Sequence, residues 1–591
     1  MSWQLVLHDA WATKVHFGEQ LVYTFGPYGF AYAGYDPRTF VAALAAWLVV
    51  AAAFTAGILE VARDSISSAY GAAAFVVCIA AITAMQFGAI QVANNVPFVV
   101  LPAILVRLHA VRPGRWAEHV VAFALALGAL VKFSFFTAAV GVIVVLGIAD
   151  VVRRRVPFFA VTFFASIAAL WLVARQPLAI LPLYVRNSIE VASGYGEGMS
   201  VTYPLFGTPF LGDRLELAAF VVIAAAFLLL TARHAWPEAA AMLAVMFVAF
   251  KIGFMRQDGH DADAAAVLAL AVYIALPARL RRGGVRDRVA WVALALAATQ
   301  LFSWALTSRT LPDLHRQAVS AVTTPAEAFA HLVAHGTDRL ERRRADVLAS
   351  LHARLRRRPE GSSFDVYPSA SAVLIAWQLP AARRPVFQAC CASTEPLLEM
   401  NAAHLRSSRA PATILFDVDP LDKRFPTLDD SVSWPEILRW YERVADDGAF
   451  QILRRRAVPI DLLVRERTMI TARFGERFVV PDSKGDLLFA RFDLRYTAAG
   501  RLMRIAYITP PLAATVTVMG EKPRRFRVLP ANARAGFLLS PLVRTGDDFG
   551  RLSGAGREAL PRVMSVTFEP ARFPWMFEPR IAASFERVSY Q

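Results

Sequence analysis

The sequence predicts an α-helical polytopic membrane domain, followed by a soluble half that contains an α/β unit and a β-sandwich. Long apolar runs recur through the first half of the 591 residues, and a helix of about 17–25 such residues crosses a bilayer. Arginine clusters lie at the ends of alternate runs, as expected for loops that stay in the cytoplasm. After Leu306 the composition becomes that of a soluble chain, and from about residue 461 apolar and polar residues alternate with period two.

Ten apolar runs are candidates for transmembrane helices, and with their loops they define a membrane domain over residues 1–306. The runs lie near 39–59, 66–85, 89–108, 116–131, 133–152, 156–174, 215–232, 238–255, 262–280 and 288–306. Lys132 is the only charge between the fourth and the fifth run. The boundary between these two runs is therefore the least clearly marked.

The arginine clusters predict how the spans are oriented. They comprise Arg107, Arg112 and Arg115; Arg153, Arg154 and Arg155; Arg233; and Arg279, Arg281, Arg282, Arg286 and Arg288. The positive-inside rule places these loops in the cytoplasm and the alternate loops outside, among them 1–38, 175–214 and 251–263. We therefore expect a multi-pass protein of a bacterial cytoplasmic membrane whose C-terminal half lies on the periplasmic side. The net charge of +16 is largely concentrated at these helix ends, which argues against nucleic-acid binding.

An external position of residues 1–38 raises a question, because no apolar run within them is long enough to span the membrane. We expect one of two explanations. Either one N-terminal span precedes Met1 in the complete protein, or these residues insert after the first helix.

The soluble half is predicted to hold two external regions. Residues 307–460 combine a basic helical stretch with a small α/β unit, and residues 461–591 form a β-sandwich. In the α/β unit, short apolar stretches predict strands at Val373–Trp377 and Thr413–Phe416, and longer stretches predict helices at Pro396–Leu405 and Trp434–Ala445. Within 461–591, alternation of the kind seen in Leu488–Tyr496 recurs between Pro and Gly turns, as is typical of a sandwich.

Ionisable residues are concentrated in residues 251–263, between two apolar runs. They are Lys251, Arg256, Asp258, His260, Asp261 and Asp263. Charges at the end of a span are costly unless they face water, a partner or a ligand. One interpretation is a solvated hairpin that marks where the membrane stops. The other is a polar site at the membrane surface, where the cations bind a phosphate and an acid or His260 transfers protons.

Other polar groups fall near predicted external helix ends. Asp9 and Glu19 are the acids that precede Asp36, and one of them is a candidate general base, unless the segment is an interfacial helix with solvated acids. Lys132 either snorkels to the interface or joins the cations of 251–263. Asn94, Asn95 and Pro97 interrupt the third span, where buried polar groups need partners or line a wet cavity.

The loop 175–214 is predicted to begin as an amphipathic helix and to end in a glycine-rich break. The glycines of the break are Gly194, Gly196 and Gly198. The polar side chains available to a ligand in this loop are Tyr184, Arg186, Glu190 and Glu197.

With many helices, polar groups on the outer side and a soluble C-terminal part, the chain resembles the GT-C class of integral-membrane glycosyltransferases. The resemblance covers residues 1 to about 306 and rests on layout. It implies a sugar donor on a polyprenyl phosphate, an acidic base in the first external loop, and basic residues that hold the lipid phosphate. By position, Asp9 would be the base with Glu19 as second choice, and the phosphate-side groups would be Lys132, Lys251, Arg256 and His260. The class usually places its acid just after the first helix, and here that helix is absent.

The chemistry of glycosyl transfer needs the same residue types. A carboxylate deprotonates the acceptor hydroxyl, and positive charge stabilises the departing phosphate. Asp258, Asp261 and Asp263 would alternatively hold Mg²⁺ or Mn²⁺, which prefer carboxylate oxygen. A site without metal is the other alternative.

The expected function is therefore hexosyl or pentosyl transfer to a cell-envelope glycan or lipid acceptor on the outer face of the membrane. A transporter or flippase of a lipid-linked saccharide would use membrane charges as a substrate or proton pathway, but here the charges concentrate at one face. A third alternative is a non-catalytic assembly protein whose β-sandwich binds envelope glycans. In each case membrane lipid and envelope saccharides are the expected partners.

Overall fold

The computed structural model describes residues 2–63, 95–201, 211–256, 260–310, 327, 330–509, 511–554, 556–570 and 573–590. The chain divides into two compact units, each built from separate stretches of sequence. The helical unit comprises Phe25–Leu178 and Pro209–Glu341. The β-rich unit comprises Met1–Thr24, Ala179–Thr208 and Arg342–Gln591.

Helices and strands are numbered in chain order through the described residues. The helices are α1 Ser2–Ala12, α2 Phe40–Arg63, α3 Val96–Val111, α4 Trp116–Val131, α5 Phe133–Val152, α6 Phe158–Val173, α7 Leu181–Met199, α8 Leu211–Ala232, α9 Trp236–Phe254, α10 Asp261–Arg282, α11 Val285–Thr310, α12 Asp338–His352, α13 Ala372–Ala376, α14 Glu395–Arg406, α15 Ser433–Trp440, α16 Ala498–Ala506, α17 Pro530–Ala535 and α18 Gly546–Leu552. The strands are β1 Phe364–Tyr367, β2 Thr413–Phe416, β3 Tyr441–Asp447, β4 Phe450–Arg455, β5 Leu462–Arg473, β6 Arg477–Val479, β7 Leu487–Phe492, β8 Leu512–Val518, β9 Arg524–Val528, β10 Phe537–Ser540, β11 Val563–Pro570 and β12 Arg580–Tyr590.

The described part of the chain has six helices long and apolar enough to cross a membrane, or seven if a bent pair that includes α6 and α7 is one span. The six are α2, α5, α8, α9, α10 and α11, and the shorter α3 and α4 are also apolar. This confirms a helical N-terminal region rich in membrane spans. The predicted run 66–85 and the first residues of 89–108 lie outside the described residues.

The hairpin of α4 and α5 shows how one residue separates two apolar helices. α4 ends at Val131 and α5 begins at Phe133, as the apolar runs predict. Lys132 between them has an extended backbone, with φ −148° and ψ 137°. This conformation cannot continue a helix. The helical path is therefore interrupted at the one charged residue between the two apolar runs.

The β-rich unit contains three four-stranded sheets. The first has the order β1-β2-β4-β3, with β1 and β2 parallel and the other neighbours antiparallel. The other two have the orders β10-β7-β12-β5 and β6-β11-β8-β9, and all their neighbours are antiparallel. These sheets confirm the predicted β-rich C-terminal part.

The two antiparallel sheets share one hydrophobic core. Phe492 on β7 lies 5.6 Å, between ring centroids, from Phe478 on β6 and 4.7 Å from Phe568 on β11. These contacts join one sheet to the other. Phe492 is fully buried and its neighbour Arg491 is exposed, because successive side chains of a strand point to opposite faces.

Two predicted elements of the α/β region are wrong. Val373–Trp377 was expected to be a strand, but α13 occupies Ala372–Ala376. Such a short apolar run has no periodicity that separates a buried strand from a buried helix. The helix predicted over Trp434–Ala445 ends at Trp440, and β3 begins at Tyr441. The boundary between helix and strand is determined by the pairing of β3 with β4. The residues around Tyr441 do not predict that pairing.

The predicted glycine-rich break of the 175–214 loop does not occur, because α7 continues through its glycines to Met199. Gly194 packs against the backbone of Ser393, where a Cβ would lie 3.0 Å from the carbonyl oxygen. A Cβ on Gly198 would lie 2.5 Å from the Ser393 hydroxyl. These two glycines therefore allow close packing of α7 within the β-rich unit and do not end the helix.

We expect Gly194→Ala to lower the stability of the β-rich unit by about 1–3 kcal/mol, because the added methyl group overpacks a contact with backbone. Gly196→Ala is the matched control. Its Cβ would meet only the Thr509 hydroxyl at 3.7 Å, and an alanine inside a helix is favoured by roughly 0.5–1 kcal/mol over glycine. Thermal unfolding of both variants of the full-length chain in detergent checks this. Equal shifts for the two variants would contradict the packing role.

Candidate functional site

Lys132 lies in an aromatic cage within the helical unit. Its ammonium is 4.9 Å from the ring centroid of Tyr32, 5.3 Å from that of Phe25 and 5.7 Å from that of Phe135. Ring faces attract a cation, more strongly where water is scarce. The cage therefore stabilises a half-buried ammonium at the junction of two apolar helices.

Backbone pairing at the end of α4 holds this cage in place. The Gly26 amide donates to the Val131 carbonyl over 3.1 Å, and the Tyr28 amide donates to the Leu130 carbonyl over 3.1 Å. Phe25 also forms a β-bridge with Lys132. The last carbonyls of a helix lack partners inside the helix, so the segment after Thr24 both satisfies them and positions the Phe25 and Tyr32 rings.

Asn95 connects Lys132 to Asp263. The amide oxygen of Asn95 accepts from Lys132 Nζ over 3.5 Å and from the Tyr32 hydroxyl over 3.0 Å. The amide nitrogen donates to Asp263 Oδ2 over 2.6 Å. Asn95 and Asp263 are 3% and 4% exposed. The Lys132–Asn95–Asp263 cluster thus places an ammonium and a carboxylate on the two sides of one buried amide.

The start of α10 explains why a carboxylate is tolerated there. Asp261 and Asp263 are both buried and both lie in the first turn of this helix. The N-terminal end of a helix carries partial positive charge from its unpaired amides, which stabilises nearby carboxylates. His260, at the N-cap position, accepts from the Asp263 amide through its backbone carbonyl and has an exposed side chain.

The other candidates of the 251–263 stretch fall in the same part of the helical unit. Lys251 is in the last turn of α9 and Arg256 follows that helix; both are half-buried. Asp258 lies outside the described residues. Among the residues that the structure does describe, no three His, Cys, Asp or Glu side chains converge as metal ligands would. Without Asp258, the metal alternative stays a prediction.

The two acids of the first segment belong to the β-rich unit, and each has a basic partner there. Asp9 on α1 lies 3.3 Å from the Arg383 guanidinium, with side chains 17% and 10% exposed. Glu19 is 39% exposed and lies 3.8 Å from His16 and 3.5 Å from Arg409. The carboxylate of Asp9 is therefore held by a half-buried ion pair, and that of Glu19 by looser surface contacts.

The polar candidates of the 175–214 loop all lie on α7. Tyr184 is buried and packs against Gly18. A Cβ added to Gly18 would lie 2.5 Å from the Cα of Tyr184. Arg186 and Glu190 line a shallow groove of about 460 Å³ on the same helix. Glu197 is 4% exposed and accepts from the Ala531 amide over 2.6 Å.

Two buried arginines, neither of them predicted from the sequence, bind the C-terminal end of α7. Arg527 Nη2 donates to the carbonyls of Glu197, Gly198 and Ser200 over 2.8–2.9 Å. Arg424 Nη2 donates to the Gly198 carbonyl over 2.6 Å. Cations are favoured at the C-terminal end of a helix. No local pattern identifies these arginines, since they lie more than 220 residues after α7 in the chain.

A third missed arginine, Arg384, lies in the core of the β-rich unit. Its Nε donates to Asp365 Oδ2 over 2.7 Å, and it also pairs with Asp430. Burial alone would lower the pKa of Arg384, but the carboxylates of Asp365 and Asp430 raise it above its usual value. Burial raises the pKa of Asp430. The Asn401 amide donates to the same Asp430 over 3.0 Å.

No protein-family model matches the chain. No curated protein matches it either. Among solved structures, the chain is similar to the cryo-EM structure of arabinosyltransferase EmbB from Mycobacterium smegmatis, with 13% identity and a TM-score of 0.25. The match covers 99% of this chain and 62% of that one, so the chain spans less than two thirds of the length of its neighbour.

Proposed function

We propose that the chain is a membrane glycosyltransferase that moves a hexosyl or pentosyl group from a polyprenyl-phosphate donor to a cell-envelope glycan or lipid acceptor. The observation that supports this is the Lys132–Asn95–Asp263 cluster. It supplies the two groups that such a transfer needs, a carboxylate base and a cation, in a helical unit rich in apolar spans. The helix ends that form it are those of α3, α4 and α10.

The reaction assigns one role to each member of the cluster. Asp263 takes the proton of the acceptor hydroxyl as its oxygen attacks the anomeric carbon of the donor sugar. The bond from that carbon to the phosphate oxygen breaks, and the polyprenyl phosphate leaves with the electron pair. Lys132 opposes the charge that develops on this phosphate. Asn95 orients the carboxylate through the Oδ2 atom, so that Oδ1 faces the acceptor.

The base is assigned to Asp263 in preference to the residues that the resemblance implies. The carboxylate of Asp9 is held by Arg383 in the β-rich unit, whereas Asp263 lies in one cluster with the Lys132 ammonium. Asp9 and Glu19 remain second candidates. Lys251, Arg256 and His260, which belong to the helical unit with the cluster, are proposed to contact the donor phosphate. A role in acceptor binding for Tyr184, Arg186, Glu190 and Glu197 stays a prediction from the sequence.

Transfer assays in proteoliposomes test this function directly. The purified chain is supplied with a radiolabelled polyprenyl-phosphate sugar and an envelope-glycan acceptor. Label in the acceptor supports the glycosyltransferase. Movement of the intact donor across the bilayer would instead favour a flippase, for which buried ionisable groups in a helical unit are also typical. Binding without either event would favour an assembly protein.

The orientation of the chain is part of the proposal, with the C-terminal half on the periplasmic side. We expect a cysteine at Lys522 to react with an impermeant reagent added outside intact cells, and a cysteine at Gly284 to be protected. Gly284 follows the arginine cluster at the end of α10, and a Cβ there meets nothing within 4 Å. Lys522 is exposed. The native cysteines are replaced by serine, and labelling of both positions from one side would overturn this orientation.

A further inference from the structure

The β-rich unit contains a cavity of about 650 Å³ that the proposed transfer does not use. It opens where β1 and β2 begin and where β4 ends. Its lining comes from residues 360–363, 407–408, 410, 412–413 and 454–457. The lining is polar and basic, with three consecutive arginines, one glutamate and several hydroxyl groups.

Arg454 is the guanidinium most available to a ligand. Its side chain is 54% exposed, and its ion-pair partner Glu360 lies 3.6 Å away with a side chain that is 91% exposed. Exposed pairs of this kind contribute little stability, because water competes for both charges. A phosphate can therefore replace the Glu360 carboxylate on Arg454 at little cost.

Arg455 and Arg456 are held in fixed positions at the same strand end. Arg455 Nη1 donates to the Leu405 carbonyl over 2.9 Å, and its guanidinium lies 4.6 Å from the centroid of the Trp440 ring. Arg456 Nη1 donates to Glu442 over 2.9 Å. A guanidinium has five N–H donors, more than these contacts occupy, so both side chains keep donors for a ligand.

The floor of the cavity is preformed by the turn before β1. The Thr413 hydroxyl donates to the Glu360 carbonyl over 3.0 Å, and the Ser363 hydroxyl accepts from the Ala412 amide over 3.0 Å. Gly361 has φ +150°, and a Cβ there would lie 2.5 Å from the Thr413 hydroxyl. Only glycine fits this position. A site of this kind loses little conformational entropy when a ligand binds.

From this lining we infer that the cavity binds the phosphate monoester of a small polyhydroxylated molecule, a sugar phosphate. The three guanidiniums of the lining are opposed by Glu360 and by Glu442, the partner of Arg456, which leaves a formal charge of +1, the sign that attracts a phosphate. Arginine binds phosphate oxygens through two parallel N–H bonds. The exposed hydroxyls of Ser362 and Ser408 suit sugar hydroxyls. The cavity lies within the range of about 300–1,000 Å³ typical of small-molecule sites, and a bare phosphate would leave most of it empty.

Calorimetric titration of the full-length chain in detergent tests this site. The ligands are glucose 1-phosphate, inorganic phosphate and glucose, each at low and at moderate salt. We expect glucose 1-phosphate to bind at least tenfold more tightly than inorganic phosphate, and glucose not to bind. Its affinity should fall with added salt, because the contact is ionic. Inorganic phosphate that binds as tightly as glucose 1-phosphate would overturn the assignment to a sugar phosphate.

Variants at the strand end locate the site. Arg454→Ala should weaken binding of glucose 1-phosphate at least tenfold, and Arg454→Lys should restore part of it, because the charge returns without the planar fork. Arg443→Ala is the matched control, since Arg443 is also a partly exposed arginine in an ion pair, with Asp446, and does not line the cavity. Because Arg454 is exposed, its variants should unfold at the wild-type temperature. Unchanged binding by Arg454→Ala, or an equal loss with Arg443→Ala, would overturn the inference.

Discussion

Asp263→Asn is expected to slow sugar transfer by about 10²–10⁴-fold, which is the range in which positioned acids and bases contribute to rate. Asparagine has nearly the shape of aspartate and keeps an oxygen that accepts from the Asn95 amide, so the cluster should stay in place. It cannot take the acceptor proton. Donor binding should therefore change little while the turnover number falls. Single-turnover transfer in proteoliposomes, with donor binding measured separately, checks this result.

Lys132→Met should lower donor binding as well as the rate of transfer. Loss of the ammonium removes the cation that faces the donor phosphate, so donor binding should weaken and the rate should fall with it. Methionine keeps contact with the rings of the aromatic cage, which protects the fold.

Asp261→Asn distinguishes a site in which Asp263 acts alone as a base from one in which several carboxylates hold a metal ion. It lies in the same turn as Asp263 and is also buried. If Asp263 acts alone as a base, this variant should transfer sugar at close to the wild-type rate. If these carboxylates hold Mg²⁺ or Mn²⁺, both variants should lose activity and added metal should partly restore it. Wild-type transfer by Asp263→Asn would contradict the assigned base.

Arg384→Met is expected to destabilise the β-rich unit by about 3–5 kcal/mol, the cost of leaving buried charges without their partner. Arg384 is 1% exposed. Besides Asp365 and Asp430 it bonds the Val366 carbonyl over 3.2 Å and lies 4.7 Å from the centroid of the Tyr367 ring. Methionine fills part of the space but leaves two carboxylates in the core. Thermal unfolding of the full-length chain in detergent measures the loss.

Two further variants show that buried charge causes this loss. Arg406→Met removes an arginine whose side chain is 37% exposed and which pairs with Glu399 and Glu436. It should cost less than Arg384→Met, because Arg406 is partly in water and Glu436, with a side chain that is 10% exposed, keeps Arg439 as a second partner at 4.0 Å. Adding Asp365→Asn and Asp430→Asn to Arg384→Met should recover part of the stability, because the stranded charges are then neutral. Equal shifts for Arg384→Met and Arg406→Met would contradict this account.

The local sequence pattern was sufficient to predict an element where its whole surface, or one face of it, lies in apolar surroundings. The apolar runs 116–131 and 133–152 match α4 and α5, because both helices are apolar along their length and a charged residue lies between them. Period-two alternation located Phe492 in the core and Arg491 outside, because one face of a strand is buried. Both signals depend on neighbours within a few residues.

Local pattern failed where an element is buried on all sides or where distant strands pair. α13 was predicted as a strand because its five apolar residues have no exposed face to give a period. The start of β3 at Tyr441 depends on its pairing with β4. The glycines of α7 predicted a break, because glycine lowers helix propensity, and the contact of Gly194 with Ser393 that explains it lies about 200 residues away in sequence.

The sequence predicted some features of the candidate site, and only the tertiary structure determined the others. Charge content alone marked Lys132 and Asp263 as costly groups near helix ends, and Asn95 as an amide in need of a partner. Their contact joins residues 37 and 168 positions apart, and only the packing of α3, α4 and α10 brings them together. The buried arginines Arg384, Arg424 and Arg527 had no signal in the sequence. The sequence does not distinguish an arginine in water from one in a core. Only the tertiary structure brings together the carboxylates and carbonyls that allow these three arginines to be buried.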